Sequence, residues 1–288
     1  MTAKSPNFPT PPFNPSRSWG IKSGWVGKMT KSAWKLLTLP FLLFIAIPIV
    51  SIFLRTSLTD LLVNLNQSQV IEAVNLSLRT SLVSIVVTWI VGTPVAYLLA
   101  QRRFRLYRFV DTLIDLPTVL PPAVAGVALL TAFGRRGLLG PWLETMGVSI
   151  PFTFIAVVMA QTFLAAPFYV KAAAIGFSAI DSELKEAAAL DGANRWQIFR
   201  HITLPLSWMA LLSGSVMTWA RALGEFGATI IFAGNFPGRT QTMPLAIYIG
   251  FEIDLNVALT LAIILISFSF LTLVIVKGFL HRQLDTTF

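Results

Sequence analysis

The chain has no cysteine, two histidines and only 13 acidic residues against 22 basic ones. Without cysteine there is no disulfide, no Cys-ligated zinc and no thiol chemistry. His201 and His281 stand apart from any Ser, Cys or acid cluster at a useful spacing, so both read as surface residues, which weighs against the rival reading of a membrane enzyme. No G-x4-G-K-[ST] phosphate loop occurs, so this polypeptide lacks that type of nucleotide cradle. Charge is scarce as well: 12% of residues are charged, where a soluble domain has roughly 25%.

What the chain has in abundance is apolar sequence, 55% of its residues, with a mean hydropathy of +0.72. This is the composition of an all-α integral membrane protein. A spanning helix needs ~20 apolar residues, and six stretches qualify: 34–54, 76–100, 112–133, 152–175, 206–233 and 255–276. They predict six transmembrane helices over residues 35–280. A disordered tail is expected over 1–34, marked by Pro9, Pro11, Pro12 and Pro15, and a short one over 281–288.

Threading those spans divides the Lys and Arg residues unevenly. One side holds Lys4, Arg17, Lys22, Lys28, Lys31, Lys35, Arg102, Arg103, Arg105, Arg108, Lys171, Lys185, Arg195, Arg200, Lys277 and Arg282. The other holds Arg55, Arg79, Arg135, Arg136 and Arg239, with Arg221 left inside the fifth span. The positive-inside rule then predicts that both termini are cytoplasmic, together with residues 178–205. The net charge of +9 serves topology, and nucleic acid is not a partner.

Several spans are interrupted. The third contains LPTVLPP at 116–122, the second Gly92-Thr93-Pro94 and the fourth Pro167. A proline removes a donor, and in lipid the freed carbonyls need neighbours or a water-lined cavity. Ordinary kinked packing and a translocation pathway around Thr118, Pro121 and Pro122 both fit. In the fifth span Arg221 and Glu225 are spaced i, i+4 on one predicted helix face. Charges at membrane depth face the bundle interior or a wet route, so the pair either locks the helix or lines the pathway. Gly224 and Gly227 allow close backbone approach, and Gly224 with Ala228 forms a small-x3-small face.

Residues 181–205 read as a soluble helix–turn–helix between two spans. Asp181, Ser182 and Glu183 cap a first helix, Asp191-Gly192 marks a turn, and Asn194 caps a second helix over 195–202 that Leu204-Pro205 closes. Its Trp196, Ile198, Phe199 and Ile202 suit either a groove on another protein or the bilayer surface.

Glu186-Ala187-Ala188, then Gly192, then Ile202-x-Leu204-Pro205 resembles the E-A-A-x3-G-x9-I-x-L-P loop of ABC importer permeases at every fixed position. The resemblance implies the type I permease fold and a pore made by two such chains, here a homodimer. It also implies an ABC ATPase dimer on the cytoplasmic side, which binds ATP and Mg, and a soluble binding protein on the outer side. This chain itself would be no enzyme and hold no cofactor or metal. Glu186, Ala187, Ala188, Gly192, Ile202, Leu204 and Pro205 would shape the coupling loop, and Arg195, Trp196 and Phe199 would touch the ATPase.

The stretch around Gly224-Glu225-Phe226-Gly227 resembles the oxyanion branch of that family, the molybdate, tungstate and sulfate permeases. Gly134-Arg135-Arg136-Gly137-x-Leu139-Gly140 and Asn235-x-Pro237-Gly238-x-Thr240-x-Thr242-x-Pro244 are similar to molybdate-permease loops. The implied cargo is molybdate or tungstate, imported across the cell inner (plasma) membrane. The alternatives are sulfate or thiosulfate and, in another class, a secondary transporter using Glu225 or Asp115. Arg135, Arg136 and Arg239 would attract the dianion or a docking partner on the outer face; anchoring to lipid phosphates is the other reading.

Overall fold

The computed structural model describes residues 31–102 and 105–284, and every regular element among them is helical. The expected N-terminal tail up to Thr30, Arg103 and the last four residues lie outside the described residues, as do the side chains of Lys31, Lys35, Lys277 and Arg282. Helix α1 (Lys31–Arg55) carries Pro40 and Pro48, and its large apolar side chains from Leu39 to Val50, with Phe53 and Leu54, are exposed. Such a helix suits a lipid environment, where apolar exposure has no aqueous cost.

The remaining helices are α2 (Leu58–Leu65), α3 (Ser68–Gln101), α4 (Tyr107–Val119), α5 (Pro122–Phe133), α6 (Gly140–Thr145) and α7 (Phe154–Ser178), followed by α8 (Ser182–Leu190) and α9 (Arg195–Ile198). A π turn (Phe199–Thr203) leads into α10 (Leu204–Leu206), α11 (Trp208–Leu223), α12 (Gly227–Phe232), α13 (Met243–Ile253) and α14 (Leu255–Leu284). Four helices are long and apolar enough to cross a membrane, and there are six crossings if each of two bent pairs counts as one.

The third expected span, 112–133, is no continuous helix. Its halves α4 and α5 meet at 115°. Leu120 is extended, with ψ 136°, as a residue before proline prefers, and Pro121 and Pro122 have no N–H to continue the α4 ladder. The fifth, 206–233, also breaks, because α11 ends at Leu223 and α12 starts only at Gly227. Helix α13 lies between the fifth and sixth expected spans; at 11 residues it is too short to register as a span.

At the centre lies α7, with one face against α3 and another against α11. Small hydroxyls fasten this bundle, as expected where apolar surface alone gives helices no reason to associate. Ser77, Thr80, Ser81, Ser84 and Thr88 form a buried stripe on α3. Ser84 donates to Gln161 Oε1 at 3.1 Å, while Ser81 and Ser215 accept from the indole N–H groups of Trp219 and Trp89 at 2.9 and 2.7 Å. Ser77 accepts from the Met243 amide at 2.7 Å, tying α13 to α3.

Candidate functional site

The helical loop after α7 is capped at each turn by its own side chains. Asp181 Oδ1 accepts from the Glu183 amide at 3.0 Å. Gly192 has φ 89°, a left-handed conformation that suits glycine, and the Ala193 amide bonds back to the Ala188 carbonyl at 2.9 Å. Asn194 and Gln197 then form a reciprocal capping box. The second helix runs beyond the expected 195–202: α9, the π turn and α10 continue to Leu206, where the chain bends by 70° into α11. Pro205 is the last residue but one of this element, which closes directly after it. The wide π turn just ahead of it absorbs the bond that proline cannot make.

Glu186, Ala187, Gly192, Arg195, Trp196, Leu204 and Pro205 are exposed, while Ala188 and Ile202 are half-buried. Phe199 faces inward. Its ring lies 5.2 Å from Tyr97 and 5.9 Å from Phe177, both edge-on, and stacks on Trp196 at 5.7 Å. Two exposed leucines, Leu184 and Leu190, join Trp196 on the surface, and Leu190 is 89% exposed. Their signal was available in the sequence, as large apolar residues on a short helix that also carries charge.

The two broken spans meet near their breaks. A Cβ on Gly227 would come within 2.7 Å of Pro122 Cβ, and one on Gly126 within 2.9 Å of Ala228 Cα, so α5 and α12 touch backbone to backbone. Gly224 plays no such part: its Cβ would meet only the Ala220 carbonyl, at 3.6 Å. The expected Gly224–Ala228 face is replaced by Gly126, Gly227 and Ala228.

Glu225 sits in the break itself, not on the helical face that its spacing from Arg221 suggested. One carboxylate oxygen accepts from Arg221 Nη1 at 2.6 Å; the other accepts from the Ala228 amide at 2.8 Å and so caps α12. Its side chain is 1% exposed and that of Arg221 31%. A buried charge is tolerated when its partners are this complete. Thr118 is exposed on the last turn of α4, donating to the Asp115 carbonyl at 2.7 Å, and Pro121 and Pro122 are exposed at the bend.

Arg135 and Arg136 are exposed on a tight turn closed by the Gly137 amide on the Gly134 carbonyl at 2.8 Å. Arg239 is exposed on a second loop, where Thr240 Oγ1 accepts from the Phe236 amide at 3.0 Å and Gly238 has φ 69°. Lys171, counted with the basic residues flanking the spans, lies within α7 and pairs with Asp111 and Asp115 of α4. That cluster escaped the sequence reading, which weighed Asp115 only as a lone carboxylate. Among the described residues no group of three or more His, Cys, Asp or Glu side chains could hold a metal ion.

A profile of the family described as "binding-protein-dependent transport system inner membrane component" matches residues 92–285. The molybdenum transport system permease protein ModB of Mycobacterium tuberculosis is 40% identical over 225 residues, covering 78% of this chain and 85% of the relative. The probable transport system permease protein NifC of Clostridium pasteurianum is 36% identical over 242 residues, covering 84% and 85%. The sulfate transport system permease protein CysW of Synechococcus elongatus is 33% identical over 237 residues, covering 81% and 83%. Among solved structures, a chain of a bacterial ABC transporter that imports the acidic polysaccharide alginate aligns with a TM-score of 0.68 at 20% identity, over 93% of this chain and 98% of that one. At that identity the likeness speaks for the fold, which is that of a type I ABC importer permease.

Proposed function

The chain belongs to the family of binding-protein-dependent transport system inner membrane components, and on that premise we propose that it is the permease subunit of an ATP-driven importer of a tetrahedral oxyanion, molybdate first and tungstate with it. The observation that carries this reading is the loop at 186–205. Its fixed residues match the coupling motif of ABC importer permeases, Gly192 adopts the left-handed turn that a glycine there serves, and Trp196 and Leu190 stand exposed for a partner. The 40% identity to a molybdenum permease supports the cargo.

In this reading the loop is cytoplasmic and docks on a separate ABC ATPase dimer, which binds ATP and Mg. Two copies of this chain form the pore, and a soluble oxyanion-binding protein delivers substrate at the outer side, near Arg135, Arg136 and Arg239. The loop transmits movement through Phe199 to α3 and α7, and the crossing of α5 and α12 lies along the pathway. Arg221 and Glu225 position the start of α12 there. A secondary transporter would need a carboxylate free to exchange a coupling ion; Glu225 has both oxygens engaged.

The test is uptake of labelled molybdate into vesicles holding this chain, its ATPase and its binding protein. ATP-dependent uptake that tungstate competes for supports the proposal. Uptake driven by an ion gradient without ATP overturns it, and saturable uptake of sulfate in preference to molybdate moves the cargo to the second reading, which the CysW likeness favours.

A further inference from the structure

Lys171 presents its ammonium to two carboxylates of α4, Asp111 Oδ1 at 2.5 Å and Asp115 Oδ2 at 2.8 Å. Asp111 and Asp115 are spaced i, i+4, which sets them one helical turn apart on one face of α4. The three side chains are half-buried, 31% exposed for Lys171 and 32% and 47% for the aspartates. A pair in this regime is screened less than a surface pair and yet can rehydrate when it opens.

Its position in the fold gives the cluster a mechanical role. Tyr107, Val110 and Ile114 of α4 pack on the buried cluster of Tyr169, Val170, Ala173 and Phe177 from α7, and Phe199 of the exposed loop packs on the same cluster. Through the bend at Leu120-Pro121, α4 continues into α5, whose Pro122 and Gly126 back onto Gly227 and Ala228. Thus α4 lies between the loop and the crossing of the broken spans.

We propose that Asp111, Asp115 and Lys171 are positioning residues forming a two-position ratchet between α4 and α7. One lysine facing two carboxylates one turn apart keeps a counter-charge when α4 slides by about half a turn either way, so that the two end positions differ by one turn, a discrete step of the kind by which packed helices switch. In the state seen here the lysine bridges both aspartates. Sliding one way leaves it on Asp111, sliding the other way on Asp115. The link to ATP hydrolysis rests on the importer reading above; the two-position device does not.

The experiment exploits the absence of cysteine, so that introduced pairs are unique. Spin labels at exposed Thr112 and Ile175 report the α4–α7 distance in the chain alone in lipid nanodiscs. Asp111→Asn and Asp115→Asn, each leaving one position, should shift the distance distribution in opposite directions, each by up to about half a helical turn, ~3 Å. Lys171→Met should broaden it and Lys171→Arg restore it. Added to the complex with the ATPase, Lys171→Met should raise hydrolysis without binding protein at least about fivefold, the scale of a modest coupling energy. Identical distributions in the two aspartate variants, or shifts in the same direction, overturn the ratchet. Asp115→Asn, at the most exposed member, keeps the test open should Lys171→Met fail to fold. Failure of the importer reading would appear in uptake and in ATP hydrolysis and leave the nanodisc distances unaffected.

Discussion

The ring of Phe199 stands edge-on to that of Tyr97, with centroids 5.2 Å apart and planes at 77°. Through this contact an otherwise exposed loop is fastened to the longest helix of the bundle, α3. Trp196 stacks on the outer side of the same ring at 5.7 Å, so the two aromatics point apart: one stands exposed, the other packs on the membrane helices.

That division is measurable. Trp196→Ala should weaken binding of the ATPase subunit, whereas Phe199→Ala should leave binding near normal and lower uptake about tenfold, equivalent to about 1.4 kcal/mol, within reach of one or two lost aromatic contacts. Binding titrations beside uptake assays separate the two effects. Equal loss of binding in both variants would show that Phe199 is part of the docking face after all.

Gly192 tests conformation against space. A Cβ there meets nothing within 4 Å, so only its φ of 89° resists substitution. Gly192→Asn should cost least, because asparagine visits the left-handed region, and Gly192→Ala about 1–2 kcal/mol of local strain. Gly192→Asp tolerates the backbone nearly as well as asparagine but adds a charge. It should leave the protein in the membrane and uncouple hydrolysis from uptake; normal uptake in vesicles would refute this role for the turn.

One glycine in the crossing of the broken spans and one outside it should respond differently. Gly126→Ala drives a methyl into the backbone of Ala228 and should cost about 1–3 kcal/mol. Gly224→Ala, with only the Ala220 carbonyl at 3.6 Å, should be close to neutral. Thermal unfolding in detergent ranks them, and a reversed order would mean that the α5–α12 contact is looser than described.

Removing Glu225 deprives Arg221 of its counter-charge and α12 of its cap. Glu225→Ala should destabilise by about 1–3 kcal/mol, from the lost cap and the lost counter-charge of the half-buried Arg221. The double variant Arg221→Ala/Glu225→Ala should recover part of that loss. A double variant no better than Glu225→Ala would assign the whole effect to the cap on Ala228.

Arg135 and Arg136 act, if on the substrate or its carrier, through a field of ~1–4 kcal/mol that salt screens. Replacing both with glutamine should lower uptake severalfold at low ionic strength, with the difference shrinking at high salt. Uptake unchanged at low salt leaves lipid anchoring as their role.

Much of this was legible before any coordinates. Hydropathy located α1, α3, α7 and α14, and the prolines at 117, 121 and 122 marked the third span as interrupted. The loop motif could be read because its residues are close in sequence and its geometry is local: a cap, a left-handed glycine, a second cap. Pro205, read as the stop, stands one residue before the end of the helix, with a π turn upstream that accommodates it. The same locality failed at Glu225, whose spacing from Arg221 suggested one continuous face although the helix ends between them.

By itself, the sequence determined the membrane class, the apolar stretches and the coupling-type loop, since composition, periodicity and fixed spacing are properties of a chain read along its length. Only the tertiary structure decided which glycines let backbones meet, that Phe199 turns inward, and that Lys171 joins two aspartates sixty and fifty-six positions away in the chain. Those outcomes depend on distances between helices remote in sequence, set by packing around α7, and no local pattern encodes them.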